Sequence, residues 1–116
     1  MNTEQASDLS IDLDAMRASA EEACRIMHVL SNSDRLLLLC QLAHGEKNVG
    51  ELETLLGIRQ PTLSQQLGVL REARLVRTRR DGKCIYYEIA STQALALMNT
   101  LYQEFCLITK ETRDDD

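Results

Sequence analysis

With 116 residues, 44% of them hydrophobic but only 3% aromatic, the chain is long enough for one leucine-rich, mostly helical domain and too short for two. Its longest apolar runs, such as Leu36 to Cys40, fall far short of the roughly 20 residues of a membrane span, and the polar start MNTEQASDLSIDLD lacks the apolar centre of a signal peptide, so a cytoplasmic protein is expected. The net charge is −5, yet Arg59 to Lys83 holds seven basic residues against two acidic ones, which makes that segment +5 and the rest −10.

Residues 1–11 are polar and read as a flexible segment, followed by one domain over residues 12–110. Asp12 or Asp14 can cap a first helix that runs to about Leu30. Its apolar positions Met16, Ala20, Ala23, Met27 and Leu30 alternate spacings of four and three, a narrow seam suited to helix-on-helix contact. Ser33 and Asp34 supply an N-cap and an acidic first turn for a second helix. Leu36 to Leu42 is apolar nearly all round, which predicts a central, buried helix ended by Gly45. A third helix is expected over Val49 to Leu56 and a fourth over Pro61 to Ala73.

Leu75 to Thr78 and Cys84 to Ile89 are rich in β-formers and are joined through Asp81-Gly82, a signal for a tight hairpin. A last helix is predicted from Thr92 to Lys110, with Ala94, Met98, Leu101, Phe105 and Ile108 as a second narrow seam. Residues 111–116, ending in three aspartates, read as a disordered acidic tail. The fold class is therefore mainly α with a small β-hairpin: four helices, two strands, one helix. The seams at the two ends of the chain predict a homodimer through the first and last helices.

The stretch VGELETLLGIRQPTLSQQLGVLREARLVRTRR has the outline of a helix-turn-helix followed by a wing. Gly57 supplies the turn, since a residue without Cβ takes a left-handed conformation freely. Pro61 suits a helix start, where its missing N–H costs nothing. Leu63, Leu67 and Leu70 form the buried face of the fourth helix. Gln60, Thr62, Ser64, Gln65 and Gln66 can reach phosphates and base edges in a major groove. Arg71, with Arg79, Arg80 and Lys83 around the hairpin tip, completes the candidate DNA-binding set. A basic patch on an acidic body is the footprint of a polyanion partner, and double-stranded DNA is the leading candidate. Two recognition helices of a dimer would then sit about one DNA turn apart (~34 Å) on a pseudo-palindrome.

Four cysteines, Cys24, Cys40, Cys84 and Cys106, contain no CxxC pair. Spacing alone is compatible with small buried hydrophobes, above all for Cys40 inside LLLLCQL. Cys106 lies beside the last seam, on a stripe with Leu95 and Tyr102. Cys84 adjoins Lys83 and lies near Arg80, and an unremarkable strand residue is the leading reading for it. Cys24 and His28, at i and i+4 on the first helix, stand out as the one helical pair of metal-ligand type, and one pair is half a site. No metal and no other cofactor is expected.

The run from Leu30 to Ile89, with SDRLLLL, VGELE, QPTLSQQLGVLRE and RRDGK followed by YY, resembles the ArsR-type winged-helix repressors over about half of the chain. The resemblance implies a homodimer that binds operator DNA through the fourth helix and the wing and is released by an inducer. Arsenic and cadmium sensors of that family have a CxC motif at the start of the third helix, where this chain has Asn48 to Leu52 without cysteine. Zinc and nickel sensors use histidines and acids on the last helix, and Thr92 to Lys110 contains no histidine. One cysteine in the second helix and one near the end of the last is the pattern of the sulfide-responsive branch (the BigR and SqrR type, with HlyU similar). Cys40 and Cys106 match those positions. The resemblance implies that reactive sulfur species, persulfides or polysulfides, cross-link this pair, and that the regulated genes serve sulfide detoxification or virulence. It assigns no role to Cys24 or Cys84.

Three other readings remain. A metal-responsive repressor of the same family would use Cys24, His28 or other thiols. A small thiol enzyme would need a cysteine paired with a base and a substrate motif, and neither is evident. A protein-interaction module would show no steep salt dependence toward DNA.

Overall fold

The computed structural model describes residues 12–107. The expected flexible segment 1–11, the acidic tail 111–116 and the end of the last helix, with Ile108, lie outside the described residues. Helix α1 spans Leu13–Leu30, α2 Ser33–Leu42, α3 Val49–Leu56, α4 Gln60–Glu72 and α5 Thr92–Leu101. A two-residue strand β1 (Lys47–Asn48) precedes α3, and β2 (Val76–Asp81) and β3 (Cys84–Ile89) form the hairpin. The three strands make one antiparallel sheet in the order β1-β3-β2. The architecture is mainly helical with a winged helix-turn-helix, as the sequence led one to expect. No helix among the described residues is long and apolar enough to cross a membrane.

Local chemistry explains the element ends. Asn32, rather than Ser33, caps α2: its Oδ1 accepts the Arg35 N–H at 3.0 Å. Asp12 sits at the start of α1 but makes no side-chain cap. Asn48 and Glu51 form a reciprocal capping box on α3, which satisfies two N–H groups that the helix itself cannot. Gly57, at φ 68°, closes α3 in the left-handed conformation. Asp81 is the last residue of β2, paired with Cys84, so the hairpin turn is Gly82-Lys83 rather than Asp81-Gly82, with Gly82 at φ 63°. The missed strand β1 is too short for any periodicity to show. Its partner is β3, through Lys47 opposite Tyr87 and Asn48 opposite Tyr86.

The core gathers one face of every helix. Ile26 and Val29 of α1, Leu38, Leu39 and Leu42 of α2, Leu52 of α3, Leu63, Leu67 and Leu70 of α4, and Ala94 and Met98 of α5 are buried together with Leu75 and Val76. The seam predicted for α1 is not this face. Met16 is 62% and Met27 53% exposed, and residues 12–25 are exposed throughout. The seam of α5 is split: Ala94 and Met98 are buried, whereas Phe105 is 66% exposed. The cause is a change of winding. After Leu101 the chain continues as a π-helical turn, Tyr102–Leu107. Bonds from i to i+5 rotate every later side chain away from the α-helical stripe.

Candidate DNA interface and cysteine pair

Helix α4 is fixed by its leucines. Leu63, Leu67 and Leu70 are wholly buried, and this sets which side of the helix faces out. Gln60, Thr62, Ser64 and Gln65 are exposed on that outer side, while Gln66 is half-buried. The first turn of α4 has no acidic residue and no side-chain cap, so its N–H groups remain available to an anion such as a DNA phosphate. Arg71 is exposed near the other end and borders a shallow surface depression with Arg74 and Arg77. Arg74 adopts φ 64°, a left-handed conformation that is unusual for a residue with a Cβ. The bond from Leu75 N–H to the Leu70 carbonyl (3.0 Å) closes the helix end around it.

The wing separates its cations. Successive side chains of a strand point to opposite faces, so Arg79 and Arg80 diverge. Arg79 forms a two-point ion pair with Glu46, at 2.5 and 3.1 Å, and lies over the Tyr86 ring at 4.9 Å from its centre. The hydrogen bond from Arg79 holds the Glu46 carboxyl below the usual carboxylate range, and the same bond raises Arg79. Arg77 pairs with Glu88 on the neighbouring strand at 2.7 Å. Arg80 and Lys83 are exposed at the tip, and among the described residues neither is in an ion pair. Arg79 therefore ties the segment before β1 to the sheet, a role that no sequence pattern indicated.

Of the four cysteines, Cys40 is half-buried and Cys24, Cys84 and Cys106 are exposed. Cys40 contacts the core, with its Sγ 3.8 Å from the Met98 Sδ. It opens on a small cavity of about 90 Å³ bordered by Ala43, His44, Met98, Asn99 and Tyr102. Burial pushes the Cys40 thiol up, and a negative charge on Cys106 pushes it further. Cys106 stands on the π-helical turn, beyond Tyr102. Cys40 and His44 share the i, i+4 spacing, but His44 lies beyond the end of α2, so Cys24–His28 is the Cys–His pair of that spacing within a helix among the described residues. Among the described residues no group of three or more metal-ligand side chains converges.

An apolar groove separates α1 from α5, bordered by Ala18, Ala23, Ile26 and Met27 on one side and Ala96 and Leu97 on the other. The two helices expected to form the dimer interface are separated by this gap in a single copy.

The chain matches the family of bacterial regulatory proteins of the arsR family over residues 32–78. It is similar to the biofilm growth-associated repressor of Agrobacterium fabrum, 53% identical over 96 residues, covering 83% of this chain and 82% of that one. Its fold is similar to the crystal structure of the transcriptional repressor BigR from Xylella fastidiosa, with a TM-score of 0.77 at 49% identity, covering 80% of this chain and 95% of that one. It is also similar to the solution structure of a homodimeric winged helix-turn-helix domain from Mycobacterium bovis, with a TM-score of 0.66 at 29% identity, covering 89% of this chain and 92% of that one.

Proposed function

Because the chain belongs to the ArsR family and is a winged helix-turn-helix transcriptional regulator, we propose that it is a homodimeric repressor whose operator DNA is released when reactive sulfur species join Cys40 to Cys106. What supports the switch is a half-buried thiol on α2 that opens on a small cavity and an exposed thiol on the turn after α5, at the two positions of the sulfide-responsive pattern. The dimer reading is supported by the exposed methionines of α1 and the open groove beside α5. The protein named from Mycobacterium bovis is described as homodimeric, and those named from Agrobacterium and Xylella as repressors. In this reading the controlled genes serve sulfide detoxification or virulence.

The chemistry follows from the environments of the two thiols. Cys106 is exposed and meets the reagent first, whereas Cys40 is held as a thiol by burial. With an organic trisulfide, the Cys106 thiolate attacks the central sulfur and one organic thiolate leaves. The Cys40 thiolate attacks the same sulfur, the second organic thiolate leaves, and a bridge with one inserted sulfur remains. Two protein thiols are oxidised and the trisulfide is reduced to two thiols. The bridge ties α2 to the chain end that follows α5. A coupling of about 1–3 kcal/mol between bridge and DNA would weaken binding by roughly 5–150-fold.

Contact with DNA would use the exposed side chains of α4 (Gln60, Thr62, Ser64, Gln65), together with Arg71, Arg80 and Lys83. The test is peptide mass analysis of the reduced protein after an organic trisulfide, with peroxide as control. A Cys40–Cys106 cross-link containing extra sulfur, absent with peroxide, is the expected result. Unmodified cysteines under both reagents would make them packing residues and end this reading of the inducer.

A further inference from the structure

Helix α4 is held from outside by two arginines to which the sequence assigned no role. Arg25 of α1 donates to the Ala73 carbonyl at 2.7 Å, at the end of α4. Arg35 of α2 reaches its middle. The Arg35 Nε donates to the Val29 carbonyl at 2.7 Å, and Nη1 donates to the Gln66 Oε1 at 2.9 Å. Its own backbone N–H is taken by the Asn32 cap. One side chain thus links the last turn of α1, the first turn of α2 and the centre of α4.

A guanidinium has donors only, so Gln66 must turn its amide oxygen toward Arg35. The NH2 group is then the end left for an outside partner. Gln66 lies one turn beyond Thr62, on the same side of the helix, and next in sequence to the exposed Gln65. Both Arg35 and Gln66 are half-buried, which shields their bond from water and strengthens it.

We infer that Arg35 is a positioning residue for DNA recognition, which holds the Gln66 oxygen inward so that Gln66 offers DNA a hydrogen-bond donor. The inference rests on the reading of α4 as the helix that meets DNA. A donor suits the acceptors of a base edge: guanine O6 and N7, adenine N7 or thymine O4. The two-point pairing of an amide with adenine needs oxygen and nitrogen turned outward together, and Arg35 withholds the oxygen. Gln66 differs in this from Gln65, whose amide is exposed.

The test is selection of binding sites from a random duplex library by the full chain and by Arg35→Met, Gln66→Ala and the double variant. Each protein is then titrated over a salt series on the duplex selected by the unmodified chain and on a scrambled duplex. Arg35→Met and Gln66→Ala should each weaken the selected duplex by about tenfold and relax the same base position. The double variant should be no weaker than either single one. Affinity for the scrambled duplex and the salt slope should not change, because no phosphate contact is lost. Additive losses would overturn the inference, as would a Gln66→Ala protein that selects like the unmodified chain, since Arg35 would then only staple helices. A slope reduced by about one in Arg35→Met would also overturn it, because Arg35 itself would touch phosphate. Should Arg35→Met fail to fold, Arg35→Lys takes its place, since it keeps the charge but not the fork. If the unmodified chain selects no sequence, the reading of α4 as a DNA-contacting helix fails, which is a separate result.

Discussion

The half of the molecule formed by α3, α4 and the hairpin differs from the half formed by α1 and the chain after α5 in how far one copy completes it. In the first, leucines are buried, α3 is closed by a capping box and a left-handed glycine, and β2 is tied through Arg79 to Glu46. In the second, α1 is exposed over most of its length, a groove separates it from α5, and the α5 winding changes to a π-helical turn. The first region finds its packing partners within one copy. The second leaves apolar side chains such as Met16 and Met27 exposed in one copy, and it also has Cys106. A reading head completed within one copy and a second region left open is a sensible division for a regulator. The state of the second can then change where the first is held without changing its form.

The largest effect should separate these halves. Leu67→Ala leaves a hole in a fully packed core and should cost about 2–5 kcal/mol in denaturant unfolding. Met16→Asp removes no buried contact and should leave helix content near that of the unmodified chain while light scattering shifts to a monomer. A core-sized loss for Met16→Asp without dissociation would show that α1 is already covered within one copy. Within the reading half, Gln65→Ala should cost about 1–3 kcal/mol on a selected duplex and little on a scrambled one, measured by titration. Equal loss on both would give Gln65 a positioning role.

A smaller effect sharpens the contrast within the wing. Arg80→Ala should lower the slope of log affinity against log salt by about one, whereas Arg79→Ala should leave it unchanged, because Glu46 already neutralises Arg79. A drop for Arg79→Ala would mean that DNA displaces Glu46. The smallest effect is one of rate. With its pKa raised by burial and by charge on Cys106, Cys40 should be alkylated more slowly than an ordinary exposed thiol at mildly alkaline pH, and its rate should rise only at higher pH. The sign for stability is the same: favouring the thiol stabilises the fold below the unfolded-state pKa, and that contribution is lost as pH rises through the higher folded-state value. Alkylation of Cys40 as fast as of Cys106 at every pH would contradict this.

Much of the reading half was legible because it is built from local rules. The Leu63, Leu67 and Leu70 spacing, Gly57 between helices and Pro61 at a helix start each act within a few residues. The hairpin was found for the same reason, although its turn lies one residue later, since the pairing of Asp81 with Cys84 depends on sheet register. The split of the last seam was not legible. Its residues Ala94, Met98 and Leu101 fit an α-helix, and nothing in their spacing announces i to i+5 bonding after Leu101. The Arg25, Arg35 and Arg79 contacts were invisible too, because a long cation takes whichever carbonyl, amide or carboxylate the fold brings near.

The sequence by itself determined the helix-turn-helix, the wing, the charge on them and the presence of two cysteines at the matching positions. Periodicity, turn chemistry and charge are properties of neighbours along the chain, so no fold is needed to read them. Tertiary structure alone decided that Gln66 gives its oxygen to Arg35, that Arg79 is engaged and Arg80 exposed, and that Cys40 is half-buried while Cys106 is open. These are choices among partners distant in sequence, from 31 residues for Arg35 and Gln66 to 33 for Glu46 and Arg79. Such choices are settled only when packing has fixed which polar groups lose water and which partner is then within reach.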